Sequence, residues 1–151
     1  MPKVGPAPQI PNRIAEHGLR LEGDILHIEI VGNLDLEMMK QLVPVYRECI
    51  AHFGYLMLLM GVSQSTGFEP AARRYSVEWA KDFASVQASA VYGAPAIVRG
   101  FMTIVNRAIF LLSKGTATEL SFVSSAAEGR AWLNSRRDKL HQAAAKLGTG
   151  Q

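Results

Sequence analysis

The stretch Ile25–Leu42, ILHIEIVGNLDLEMMKQL, decides the fold class of this 151-residue chain. Leu26, Ile28 and Ile30 fall on one face of an extended segment and His27 and Glu29 on the other, the period-two pattern of a strand with one face on a core. Gly32-Asn33 turns the chain, and apolar residues then recur at helical spacing: Leu34, Met38, Leu42, Val45, Tyr46, Cys49 and Phe53. Asn33 is the expected cap of this helix, because its side-chain oxygen can accept an orphan backbone N–H. Asp35 and Glu37 fall in the first turn, where the helix dipole favours carboxylates. A strand that feeds directly into a helix opens an α/β arrangement.

Working outward from this unit, Leu19–Glu22 and Ile25–Val31 read as a hairpin turning at Gly23-Asp24. Pro44 is expected to kink or divide the first helix, and Gly54 to close it. Tyr55–Val62, YLMLLMGV, is a continuous apolar run suited to a central strand covered on both faces. Ser63–Phe68 reads as a polar loop, and Glu69–Phe83 as a second helix with Ala72, Tyr75, Trp79 and Phe83 inward. Val86–Tyr92 is a further strand, Ile97–Ser113 a third helix, and Glu119–Val123 a short strand. Ser125 and Glu128 form a capping box for a last helix that carries Trp132 and Leu133 to about Leu147. The expected architecture is α/β: one mixed, mostly parallel five-stranded sheet with four helices, in the order β-β-α-β-α-β-α-β-α. Residues 1–13 hold four of the seven prolines and read as a flexible leader, 14–147 as the domain, and 148–151 as a frayed tail.

Composition narrows the function classes. The net charge is only +3 and the basic residues are scattered, which argues against nucleic acid as a partner. Arg73-Arg74 and the Arg136–Lys139 cluster read as solvated helix faces. Cys49 is the only cysteine and falls on the apolar side of a helix, so it reads as a small buried hydrophobe. The four histidines, His17, His27, His52 and His141, have no metal-ligand spacing, so neither a metal nor a cofactor is expected. His27 beside Glu29 reads as part of a half-exposed polar strand face rather than a catalytic dyad. No nucleophile elbow, phosphate loop or dinucleotide motif occurs, and no enzyme is expected. The N-terminus lacks an apolar h-region and no run is long enough to span a bilayer, so a cytoplasmic location is expected.

The third helix is the exception to this blandness. Ile97, Val98, Phe101, Met102, Ile104, Val105, Ala108, Ile109, Leu111 and Leu112 cover more than a ~100° stripe, and Arg99, Thr103 and Arg107 form a narrow polar ridge. Three coverings would satisfy so apolar a helix: neighbouring helices of the same chain, a partner or second copy, or an apolar ligand beneath it.

Gly32, Leu34 and Asp35 at the first strand–helix junction carry a resemblance to a known family. With them go the strands Tyr55–Val62 and Val86–Tyr92 and the helix segment EGRAWL at Glu128–Leu133. Together these resemble the STAS domain superfamily, and within it the SpoIIAA-like group, whose fold is also compared with the lipid-binding CRAL-TRIO domain. The resemblance implies a non-enzymatic module of bacterial intracellular signalling that works by protein–protein contact. Self-association as a homodimer is expected, and the alternative is a carrier or sensor of a small, lipid-like apolar ligand. In phosphorylated antagonists of this family, a Ser or Thr at the start of the second helix is modified within a D-S-S-G stretch. The matching segment here is Ser63-Gln64-Ser65-Thr66-Gly67, with Gln64 in the place of the Asp. The resemblance therefore marks Ser63, Ser65, Thr66 and Gly67 as a phospho-site or partner loop. Arg73, Arg74, Arg99, Phe101, Thr103 and Arg107 are the candidate partner surface.

Overall fold

In the computed structural model, which describes residues 7–82, 87–112 and 118–149, every described strand belongs to one sheet. The elements are β1 (Arg13–Ile14), β2 (His17–Glu22), β3 (Ile25–Leu34), α1 (Leu36–Phe53), β4 (Leu56–Phe68), α2 (Pro70–Asp82), β5 (Gln87–Tyr92), α3 (Ala96–Leu112), β6 (Thr118–Val123) and α4 (Ala126–Thr149). The sheet has six strands rather than five, in the spatial order β1-β2-β3-β4-β5-β6. The added strand is two residues long, too short to show any period, and it turns into β2 through Ala15 at φ 52°. The first three strands pair antiparallel, and β3 to β6 pair parallel.

This strand order decides where the helices go. Each parallel strand lies beside the one before it, so right-handed crossovers place α1, α2 and α3 on the same face. Their buried residues form one core with Leu26, Ile28, Ile30, Leu58, Met60 and Val91 of the sheet. The last helix leads to no further strand and folds onto the opposite face. There Leu133 and Leu140 pack on Ile25, Met57, Leu59, Ala88 and Ala90. Gly129 permits this close approach, since a Cβ there would lie 2.5 Å from a Leu59 methyl carbon.

Several local expectations change because β3 and β4 are longer than their apolar runs. Asn33 pairs with Gly67 and Leu34 with Phe68, so both residues belong to strand and α1 begins only at Leu36. The cap is therefore Asp35, whose Oδ1 accepts from Met38 N at 2.9 Å, and the Asn33 side chain instead donates to Glu69. Ser63–Phe68 is strand rather than loop for the same reason: main-chain pairing with β3 extends β4 through polar residues. Helix α1 runs through Pro44 as one element, with the proline ring on its exposed side. Gly54 closes it at φ 87°, its N–H donating to Ile50 O. At α4, Ser125 Oγ accepts from Glu128 N at 3.1 Å as expected, while the Glu128 carboxylate reaches back to Ser124 N.

Ile10 packs against the core, and Asn12 O accepts from Leu19 N at 3.1 Å. Residues 1–6 of the expected leader, 150–151 of the expected tail, Phe83 and Val86 lie outside the described residues. Cys49 is 2% exposed, and burial raises its thiol to about 11. We expect the native protein to be inert to thiol-specific disulfide reagents at mildly alkaline pH and to react stoichiometrically once unfolded; rapid native labelling would contradict this burial.

Candidate functional site

On α3, Val98, Met102, Val105 and Ile109 enter the core, and they take up only part of the apolar surface. Among the described residues, Ile97 (63%), Ile104 (60%), Phe110 (64%) and Leu111 (71%) are the large hydrophobics the fold leaves in solvent. Ile97, Ile104 and Leu111 recur every seventh residue, so at about 100° per residue they form one stripe. Next to it on the helix surface lie the half-buried Phe101 and Ala108, on the side facing α2. The stripe thus widens the buried face on one flank, and at Ile104 it borders a groove of about 700 Å³ over α2 and α3. Arg73, Arg74, Val77, Ile104, Val105 and Ala108 are among its lining residues.

The expected partner surface is brought together only in part. The Arg73 guanidinium lies 4.3 Å from the centroid of Phe101, joining α2 to α3 at the groove. Arg74, Thr103 and Arg107 are exposed. Arg99 turns to the other side of α3 and covers Phe122 of β6 at 5.3 Å. Ser63 and Thr66 are exposed on the extended end of β4, whereas Ser65 is 9% exposed and lies within the β3 pairing at Gly32. Glu69, directly after this segment, accepts at its carbonyl from Arg73 N and so starts α2. Thr66 therefore offers the accessible hydroxyl near that helix start.

Beneath α3 lies a cavity of about 100 Å³ between the sheet and the helix layer, lined by Tyr46, Met60, Trp79, Met102 and Ile109 among others. An apolar cavity of about 150 Å³ takes a benzene ring, so this space holds a few heavy atoms and no acyl chain.

The opposite sheet face carries a polar constellation that sequence reasoning missed. His27 is not half-exposed but 4% exposed, because α4 and the β2 hairpin arm close around it. Its Nδ1 lies 2.8 Å from Glu22 Oε2, and its Nε2 lies 2.7 Å from Tyr92 Oη and 3.3 Å from Glu29 Oε2. The Tyr92 hydroxyl donates to Glu29. Arg130 of α4 donates from Nε to Glu22 Oε1 at 2.8 Å, and Arg20 Nε to Glu22 Oε2 at 2.7 Å. The hydrogen bond from Arg130 is the largest of the influences that hold the Glu22 carboxyl far below the usual range. Burial, then the bond to Glu29, push the Tyr92 phenol up. Since Glu22 stays ionised it can only accept, so His27 Nδ1 carries a proton.

Gly61 makes room for this chain, since a Cβ there would stand 2.5 Å from Glu29 Oε1 and 2.6 Å from Tyr92 Cζ. A carboxylate–imidazole–phenol sequence is also the wiring of a proton relay. Here its hydrogen bonds are spent on one another, tying β2, β3, β5 and α4 together. The sequence signals were the parity of His27 and Glu29 and the Arg130 in EGRAWL; Tyr92 carried none, because His27 lies 65 residues away, and for Glu22 the nearby Arg20 and His27 gave no hint of Arg130, 108 residues on. A second pair, Arg137 to Asp24 at 2.7 and 2.8 Å with Tyr55 donating to the same carboxylate, repeats this pinning.

From β2 onward, the elements follow the β-β-α-β-α-β-α-β-α order that the STAS resemblance implies. No known family profile matches the chain, and no curated relative does. It is similar to a crystal structure described as an uncharacterised protein from the DUF3478 family with a SpoIIAA-like fold, from Shewanella loihica PV-4. Identity is 19% and the TM-score 0.48, covering 78% of this chain and 91% of that one. Among the described residues, no helix is long and apolar enough to cross a membrane, and no three His, Cys, Asp or Glu side chains are grouped to hold a metal ion.

Proposed function

We propose that the chain is a non-enzymatic, STAS-like regulatory module of bacterial intracellular signalling that acts by protein–protein contact through the outer face of α2 and α3. The carrying observation is the solvent-exposed stripe Ile97, Ile104 and Leu111, which the fold supplies no covering for among the described residues. Apolar patches of this kind usually mark interaction sites. The small cavity under α3 favours this reading over a carrier of a lipid-like ligand, which needs more room than about 100 Å³.

A photo-reactive residue placed at Ile104 should cross-link to a protein in cells that make the chain, either a partner or a second copy. The same residue at Asn134, exposed on α4, is the control. Equal labelling at both positions, or none at Ile104, would remove the proposal. The exposure of Thr66 favours one mode of control, phosphorylation of that hydroxyl beside the start of α2. Thr66→Asp should then change the yield of the Ile104 adduct without changing stability. Ser65→Asp, which buries a charge, should destabilise the fold by about 2 kcal/mol or more. An unchanged adduct in Thr66→Asp would exclude the phosphoswitch.

A further inference from the structure

The groove over α2 and α3 specifies its occupant more narrowly than a protein contact in general. Both helices connect parallel strands in the same sense, so they run parallel and leave a valley between them. On α3, Ile97, Phe101, Ile104, Ala108 and Leu111 step by four, three, four and three residues, a seam of two heptads whose middle, Ile104 and Ala108, lines the groove while its ends continue along the helix beyond it. On the α2 side, Pro70, Arg73 and Val77 continue the same spacing. Two parallel seams with this period form a seat for a third helix, whose own apolar residues at i, i+3, i+4 and i+7 fill the valley. From Ile97 to Leu111 the seam is about 21 Å long, or four turns.

Charge decides what kind of helix. Helix α3 contains no Asp or Glu. Among the described residues, Arg74 and Arg107 meet no carboxylate, while Arg73 and Arg99 cover aromatic rings instead. Arg73 and Arg74 line the groove on the α2 side, against a single lining carboxylate, Glu78; Arg107, outside the groove, is exposed one turn after Ile104 on the far flank of the stripe. A second copy of α3 would bring only like charge to this rim, which is unfavourable. A membrane surface meets protruding residues, whereas Ile104, Val105 and Ala108 line a concave groove.

We infer that the α2–α3 groove receives an acidic amphipathic helix from a partner protein. This rests on the contact reading above and deepens it. The test uses two designed peptides of about 18 residues that share one apolar heptad face and carry Glu or Lys at all other positions. Binding to the full chain is followed by fluorescence anisotropy at low and high salt. The Glu peptide should bind at least about tenfold more tightly than the Lys peptide, with the difference shrinking at high salt. Ile104→Asp should abolish binding, and the triple variant Arg73→Glu, Arg74→Glu, Arg107→Glu should invert the preference.

Ile104, Arg74 and Arg107 are exposed and Arg73 is half-buried; circular dichroism of each variant should match the parent, and the double variant Arg74→Glu, Arg107→Glu carries the inversion test if the triple one departs from it. Equal affinity for both peptides, or an uninverted preference in the triple variant, overturns the inference. So does co-sedimentation with vesicles of phosphatidylserine and phosphatidylcholine that the Glu peptide fails to compete away. A dimer in light scattering that Ile104→Asp dissolves would assign the groove to a second copy and also overturn it. If neither peptide binds while Ile104 still cross-links to a protein, the helix assignment falls and the contact reading stands. If both tests fail, both fall.

Discussion

Glu22→Gln should lower stability at neutral pH by about 2 kcal/mol and take away much of the chain's loss of stability in acid. Glu22 accepts from Arg130, Arg20 and His27 at once, and its side chain is only 23% exposed. The amide keeps one acceptor oxygen, but it turns an NH2 toward donors that the other oxygen served and removes the charge facing two cations. Arg20 and Arg130 are partly solvated, at 63% and 38%, so water softens the cost and the value lies below that of a fully buried pair.

The sign of the pH effect follows from the direction of the shift. The folded carboxyl titrates well below its ordinary 4.5, because the hydrogen bond from Arg130, supported by those from His27 and Arg20, favours the charged form. Its contribution is complete above that ordinary value and falls away as the pH drops from there toward the depressed folded value. Asp24 acts in the same sense: burial alone would raise it, but hydrogen bonds from Arg137 and Tyr55 hold it low. Urea unfolding followed by circular dichroism across this range should show a steep acid limb in the parent. The limb should be shallower in Glu22→Gln and nearly flat in Glu22→Gln with Asp24→Asn. An unchanged limb in the double variant would show that these two networks do not tie the hairpin to α4.

Leu133→Ala should be the most damaging single truncation, at about 3–4 kcal/mol and roughly 10 °C in Tm. Leu133 is fully buried and stands with Leu140 as the inward face of α4. This helix is what covers Met57, Leu59, Ala88 and Ala90 among the described residues, and Gly129 holds it too close to the sheet for the gap to be filled from its own side. The opposite face shares its load among three helices, so an equivalent truncation there finds more neighbours to relax. Hydrogen exchange should show α4 amides losing protection first in Leu133→Ala. Uniform loss across the sheet, or a cost below about 1 kcal/mol, would mean that α4 is not the weak layer.

The elements themselves were legible because each rests on local chemistry. The β3 alternation, the apolar run of β4, Gly54 at a left-handed helix end and Ser125 at the α4 cap each act within a few residues. The errors came where pairing with a distant strand overrode a local preference. Asn33 is a good cap, yet its backbone was claimed by Gly67; Ser63–Gly67 has loop composition, yet parallel pairing to β3 keeps it extended. A two-residue strand such as β1 has no period to read at all.

For the candidate site, the excess apolar surface of α3 followed from the sequence alone, because the angular width of a helix stripe depends only on spacing. Which part of that surface stays in water did not follow, since it depends on α2 lying on one flank and β6 on the other. His27 shows the same division. Alternation assigned its face, but its burial needed Glu22, Tyr92 and Arg130 to converge from three other elements. Spacing along a chain determines which residues share a face; only the packing of elements decides what that face meets, because side-chain contacts fall off within a few ångströms and pay no regard to sequence distance.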